Sequence, residues 1–210
     1  MTSTGASPAT LLACFLVGAL ATAVVGGAAV VLHAKTGARS FGHYGYGVAD
    51  PRTLIDVDGD GKVRMRRTAG RAFRAMQQDA RRDGVVIVPV SGFRTMEQQG
   101  ALFFDVAAEK NEALAARALL CAPPGFSEHH TGYALDLGDG EHRESQLEVT
   151  FRDTRAFSWL KENAARYHFE MSFPEGNAQG VSYEPWHWRY VGNLAAFKTF
   201  FPARLEVPSF

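Results

Sequence analysis

The chain has 210 residues with 22 basic and 22 acidic side chains, so its formal net charge is zero and its pI is about 7.1. No block of like charge interrupts this balance, so neither nucleic acid nor an anionic surface is expected as a partner. With an apolar N-terminal segment set aside, the length suits one domain of ordinary size, expected to be a monomer.

Residues 11–32 are apolar or small except for Thr22, a run of about 22 residues that is long enough to span a bilayer as a helix. No Lys or Arg precedes it, and Leu32-His33-Ala34 is a poor signal-cleavage site. The expected organisation is therefore an uncleaved membrane anchor at 1–34, a linker at 35–53 and the functional domain at 54–210, with a cleaved signal as the alternative. The residues around Cys14 do not form a lipoprotein box, because the apolar stretch follows the cysteine. Lys35 and Arg39 follow the span and would by the positive-inside rule hold the domain in the cytoplasm. Two charges are a weak bias, and the chemistry below places the domain on the other side. Two cysteines, Cys14 and Cys121, make no disulfide framework, and Cys121 reads as a small buried hydrophobe.

Past the linker, Asp56, Asp58, Asp60 and Gly61 imitate the first half of a calcium loop. Arg67 occupies the position where a bidentate Glu belongs, so an Asp/Gly turn between two short strands is the better reading. Ala69, Ala72, Phe73, Met76 and Ala80 then recur at helical spacing, with Thr68 as the expected start cap and Gly84 as the stop. A β-branched strand at 85–90 delivers Ser91-Gly92-Phe93-Arg94. Helices are expected at 95–109, 112–120, 152–166 and 193–200, and strands at 133–137, 169–173 and 187–191. The fold class is α+β, a small mostly antiparallel sheet flanked by helices.

The chemistry lies in Ser127-Glu128-His129-His130-Thr131-Gly132-Tyr133-Ala134-Leu135-Asp136 and in Glu184-Pro185-Trp186-His187. Gly132 argues against one helix carrying His129 and Asp136, whereas a turn running into a strand brings both to one wall. His187 on a neighbouring strand then completes a trio of two imidazoles and a carboxylate, a donor set suited to catalytic zinc. Pro185 disfavours the helical His-Glu-x-x-His arrangement. Glu184 stands apart from the trio as a proton acceptor for a metal-activated water. His130 would face away from His129 in extended backbone and is a supporting candidate. His33, His43, His142 and His168 read as structural, surface or linker residues, and Trp186 and Trp188 as packing. Ser127 lacks a Gly-x-Ser-x-Gly elbow, so a serine mechanism is disfavoured.

Ser-x-His-x-x-Gly-x-Ala-x-Asp, then Glu-x-x-His within Glu-Pro-Trp-His-Trp-Arg-Tyr, with Ser-Gly-Phe-Arg-Thr upstream, resembles the VanY-like D-alanyl-D-alanine carboxypeptidases of the lysostaphin and hedgehog metallopeptidase group. The resemblance runs from about Arg64 to Val191, and around 127–140 and 182–192 it is similar to cyanobacterial-type members. It implies His129, Asp136 and His187 as zinc ligands and Glu184 as general base. Arg94 is implied as the arginine that binds substrate or stabilises the carbonyl oxygen, and Ser127 and Gln99 as substrate contacts. The implied activity is zinc-dependent D,D-carboxypeptidase action on peptidoglycan stem peptides, outside the membrane. Alternatives on the same fold are L,D-carboxypeptidase, dipeptidase or endopeptidase activity, or a non-catalytic zinc-stabilised binding module.

Overall fold

The computed structural model describes residues 38–205. The expected anchor at 1–34, with Cys14 and His33, lies outside the described residues. Within them, no helix is long and apolar enough to cross a membrane.

Residues 38–53, expected as a linker, pack onto the domain. They carry a short hairpin of β1 (Arg39–Ser40) and β2 (His43–Tyr44) and a 3-10 turn at Pro51–Thr53. Tyr44 and Tyr46 join the main apolar core, and their aromatic area is the reason the segment adheres. Strands β3 (Leu54–Asp56) and β4 (Arg64–Arg66) form an antiparallel pair around the Asp-rich turn. There the Asp56 carboxylate accepts hydrogen bonds from the backbone N–H of Asp58 and Gly59, which accounts for the acidic residues without calcium.

Helix α1 (Arg67–Arg82) buries Ala69, Gly70, Phe73, Met76 and Ala80 along one face, the expected period. Its start differs from expectation. Thr68 lies within the first turn and Arg66 is the boundary residue, without a side-chain cap, because β4 runs directly into the helix. Gly84 takes a left-handed φ of +71° after the helix, as the stop signal anticipated. Strand β5 (Ile87–Ser91) follows. Thr95 then caps helix α2 (Met96–Gly100) with a reciprocal Thr95–Gln98 capping box. The helix continues through a π-helical turn at Ala101–Asp105 into α3 (Val106–Glu109), and α4 (Leu114–Arg117) is a single turn.

Strand β6 (Ala134–Asp139), helix α5 (Arg155–Asn163), strands β7 (Phe169–Met171) and β8 (His187–Tyr190) and helix α6 (Leu194–Arg204) complete the domain. The main sheet is antiparallel in the order β5-β6-β8-β7. This is the expected α+β arrangement. All six residues of β6 are buried, as befits a central strand covered on both faces. Phe73, Met76, Leu135, Leu137, Leu160 and Phe169 fill the space between sheet and helices. A register shift between Pro89 and Ser91 lets Ser91 stand opposite Asp136, and Asp136 pairs directly with His187 on β8. Three chain segments thus meet beside one buried carboxylate.

Candidate metal centre and active site

His129 stands on a 3-10 turn, Glu128–Thr131, between the end of β5 and the start of β6. Ser127 opens the turn, its Oγ accepting the His129 backbone N–H at 3.4 Å. Gly132 closes it in the left-handed region at φ +68°, where an added Cβ would lie 2.9 Å from Leu54 Cδ2. Gly92 allows a second close approach, since a Cβ there would lie 2.5 Å from the Arg64 carbonyl oxygen. That approach places the Gly92 carbonyl to accept a hydrogen bond from His129 Nδ1 at 2.7 Å.

With its proton on Nδ1, His129 turns a bare lone pair on Nε2 toward Asp136 Oδ2, 3.2 Å away. This buried nitrogen has no hydrogen-bond partner. Burial, and then the charge of Arg94, lower the ring's pKa to about 4, so it is a neutral donor at pH 7. On the neighbouring strand, His187 Nδ1 donates to Asp136 Oδ1 at 2.9 Å and Nε2 donates to Glu128 Oε2 at 3.0 Å. Burial opposes a charge on this ring, yet the two carboxylates outweigh it and push its pKa up to about 10. Burial likewise opposes ionisation of Asp136, and the histidines beside it hold it well below the usual carboxylate range.

One donor atom from each of His129, Asp136 and His187 lies within 4.8 Å of the others, and all three residues are buried. Two imidazole nitrogens and one carboxylate oxygen suit zinc, and the orphaned Nε2 of His129 is the donor such an ion would satisfy. The structure brings together the three residues singled out in the sequence.

Glu184 lies at the edge of this group, its Oε2 3.9 Å from His187 Nδ1 and its side chain 14% exposed. Burial lifts its pKa from 4.5 to about 7. A carboxyl group tuned to neutral pH is suited to accept and return a proton. Arg94 reaches Asp136 from just beyond the end of β5. Its Nη2 donates to Asp136 Oδ2 at 2.9 Å, Nη1 to Gln99 Oε1 at 3.0 Å and Nε to Ser91 Oγ at 3.0 Å. Two of the guanidinium's five N–H groups are left for another partner.

The remaining candidates fall into supporting positions. Gln99 is buried, donating to the Ala122 carbonyl at 2.7 Å and to Cys121 Sγ at 3.2 Å while it holds Arg94. Ser127 is also buried, at the start of the 3-10 turn. Cys121 is half-buried and free. His130 is not among the three converging donors. Its Nε2 accepts the Gly125 N–H at 3.0 Å and its Nδ1 donates to the Arg94 carbonyl at 2.8 Å, so both nitrogens are used within the fold. His43 is buried against the Ala118 carbonyl, and His142 pairs with exposed Glu144. His168 holds a left-handed turn at φ +63°, and Trp188 packs in the core.

Glu128 escaped the sequence reading. It is buried beneath His187 and carries four hydrogen bonds, from His187, Ser172, Tyr46 and Arg189. Its signal is an acidic side chain next to His129, with Arg189 two residues beyond His187. An alternation argument cannot detect it, because the 3-10 turn buries four consecutive residues.

Comparisons with known proteins bear on the family of the chain. The family model VanY, D-alanyl-D-alanine carboxypeptidase, matches residues 62–193. A D-alanyl-D-alanine carboxypeptidase of Enterococcus faecalis is 37% identical over 131 residues, 58% of this chain and 46% of that protein. The chain spans about half the length of the curated relatives it matches. The solved structure of the LdcB LD-carboxypeptidase, determined for its peptidoglycan recognition, is similar at a TM-score of 0.63 and 29% identity, covering 77% of this chain and 81% of that one. A mutant of the vancomycin-resistance D,D-pentapeptidase VanY in complex with Zn(II) is similar at 0.57 and 32%, covering 74% and 85%. None of these likenesses bears on the expected cyanobacterial type. With the matched segment containing Arg94, His129, Asp136, Glu184 and His187, the chain belongs to the VanY family of D-alanyl-D-alanine carboxypeptidases.

Proposed function

We propose that the chain is a zinc-dependent D,D-carboxypeptidase that removes the terminal D-alanine from peptidoglycan stem peptides. The observation that carries this reading is the convergence of the His129–Asp136–His187 donors, with Glu184 beside His187 and Arg94 on Asp136. The kinship with D-alanyl-D-alanine carboxypeptidases supports the substrate class.

His129, Asp136 and His187 would hold zinc, which supplies Lewis-acid activation of a water molecule and of the scissile carbonyl. Glu184 takes the proton released when water attacks the carbonyl carbon. As the C–N bond breaks, Glu184 returns that proton to the leaving amine of D-alanine, so the proton count closes over the cycle. Arg94 keeps two N–H groups for the substrate, either its terminal carboxylate or the oxygen on which negative charge develops. Gln99 and Ser91 fix the plane of the guanidinium, and through Arg94 they orient the substrate. Ser127 and Gln99 are buried, and their direct contact with a peptide is what the family resemblance implies.

The substrate lies outside the cytoplasmic membrane, and the apolar run at 11–32 fits an anchor holding the domain on that face. Zinc-loaded protein incubated with a stem pentapeptide should release D-alanine, and Glu184→Gln should abolish the release. Failure of the zinc-loaded protein to do so sinks the proposal. The likeness to the LdcB LD-carboxypeptidase favours a second reading, cleavage of the L,D-bond of a tetrapeptide. Mass spectrometry of tetrapeptide and pentapeptide products separates the two. A purely structural zinc module would have no use for a carboxyl group poised near neutral pH beside the metal ligands.

A further inference from the structure

We infer that Glu128 is the positioning residue of the metal centre: its carboxylate fixes the ring of His187 so that Nδ1, and not Nε2, faces the metal. The inference rests on the metal site and not on the reaction, so it stands or falls independently of which peptide bond is cut.

His187 has two nitrogens and only one can be a ligand. Nδ1 lies 2.9 Å from Asp136 Oδ1 and 3.9 Å from Glu184 Oε2, inside the ring of donors. Nε2 points out of that ring, 3.0 Å from Glu128 Oε2. A carboxylate can only accept there, so it keeps the proton on Nε2 and leaves the Nδ1 lone pair for the ion. Ring rotation would carry Nε2 away from Glu128 and strand a buried charge. The side chain of Glu128 is 2% exposed, so an unpaired charge there would be costly.

The surroundings of Glu128 are built to keep it an acceptor on both oxygens. Oε2 also accepts from Ser172 Oγ at 2.5 Å, while Oε1 accepts from Arg189 Nη1 at 2.8 Å and from Tyr46 OH at 3.4 Å. All four partners are donors. Arg189 is held in turn by Glu170 at 2.8 Å, and Glu170 by Arg204 at 3.2 Å. Tyr46 and Arg204 lie outside the matched segment 62–193, so segments beyond the family core brace its metal site.

This arrangement makes an isosteric substitution informative. In Glu128→Gln the amide has one acceptor and one donor end, yet both sides require an acceptor. If oxygen keeps Arg189 and Tyr46, the NH2 group confronts Nε2 and drives the ring proton onto Nδ1, the atom meant for the ion. Arg189→Gln breaks the same buried ion pair but leaves the carboxylate on Nε2, and so separates positioning from charge pairing.

Zinc dissociation constants from competition with a fluorescent chelator, measured on the full chain of the parent and both variants, test the inference. Circular dichroism of the metal-free forms establishes that each is folded at the temperature used. Glu128→Gln should weaken zinc binding about 10- to 100-fold, with a much smaller effect in Arg189→Gln. Zinc binding by Glu128→Gln within threefold of the parent, or an equal loss in both variants, overturns it. Nitrogen-15 spectra of the zinc-loaded parent decide the matter even where the variants do not fold. His187 should carry its proton on Nε2, and a proton on Nδ1 with the metal on Nε2 would refute the inference.

Discussion

Glu184 should cost the metal-free protein stability at neutral pH, and its replacement by Gln should recover it. Burial holds the folded-state pKa at about 7 against 4.5 for the free side chain. The side chain is only 14% exposed, so solvent screens little of this. Each tenfold change in acidity is worth about 1.4 kcal/mol, which makes the difference about 3 kcal/mol. The folded state binds the proton more tightly than the unfolded state. The stability this provides is full below pH 4.5, is lost as pH rises through 7, and is absent above. Glu184→Gln has no charge to bury at any pH. Urea unfolding of chelator-treated parent and variant from pH 4 to 8.5 should give nearly equal stabilities at pH 4. The variant should be favoured by about 3 kcal/mol at pH 8, with most of the change between pH 4.5 and 7. A difference that does not change with pH would mean that Glu184 titrates normally, and its assignment as a base tuned by burial would be lost.

Zinc binding should release at least about one proton per ion at pH 8.5, because His187 is held protonated up to about 10 in the metal-free protein while His129 is already neutral. Calorimetry in buffers of differing ionisation enthalpy measures this, and no release would contradict the charge state of His187. Arg94→Ala should lower kcat/KM about 100- to 1000-fold with zinc content unchanged. Steady-state kinetics with metal analysis checks both, and full activity would remove Arg94 from the mechanism. Gly132→Ala should destabilise the domain by about 1–3 kcal/mol, since φ is +68° and the new Cβ meets Leu54. Denaturant unfolding of the metal-free form measures it, and a neutral result would mean that the 3-10 turn relaxes freely.

Residues whose chemistry survives changes in local geometry were the ones readable in the sequence. Pro185 and Gly132 excluded a helical zinc motif, and any strand-and-turn arrangement then gathered His129, Asp136 and His187, as the pairing of β6 with β8 does. The phase of α1 was readable because Phe73, Met76 and Ala80 face the sheet whatever residue begins the helix. Its start was not readable, since β4 enters the helix without a capping side chain and Thr68 is drawn inside. Strand β5 lies slightly later than its β-branched run suggested, its pairing with β6 running from Ile87 to Ser91. The π-helical turn at Ala101–Asp105 has no periodic signature of its own. Residues 38–53 looked like a linker by their glycines, yet Tyr44 and Tyr46 are core residues. Glu128 was hidden for a related reason. Its partners come from Tyr46, Ser172 and Arg189, segments that only the folded chain brings together.

Whether the chain is a zinc D,D-carboxypeptidase is decided by the release of D-alanine from a synthetic stem pentapeptide by the zinc-loaded chain, quantified beside chelator-treated protein and Glu184→Gln. The zinc-loaded parent should release one terminal D-alanine stoichiometrically and the other two none, with recovery on adding zinc to the chelated sample alone. Equal release by Glu184→Gln, or release unaffected by removal of the metal, would contradict that assignment.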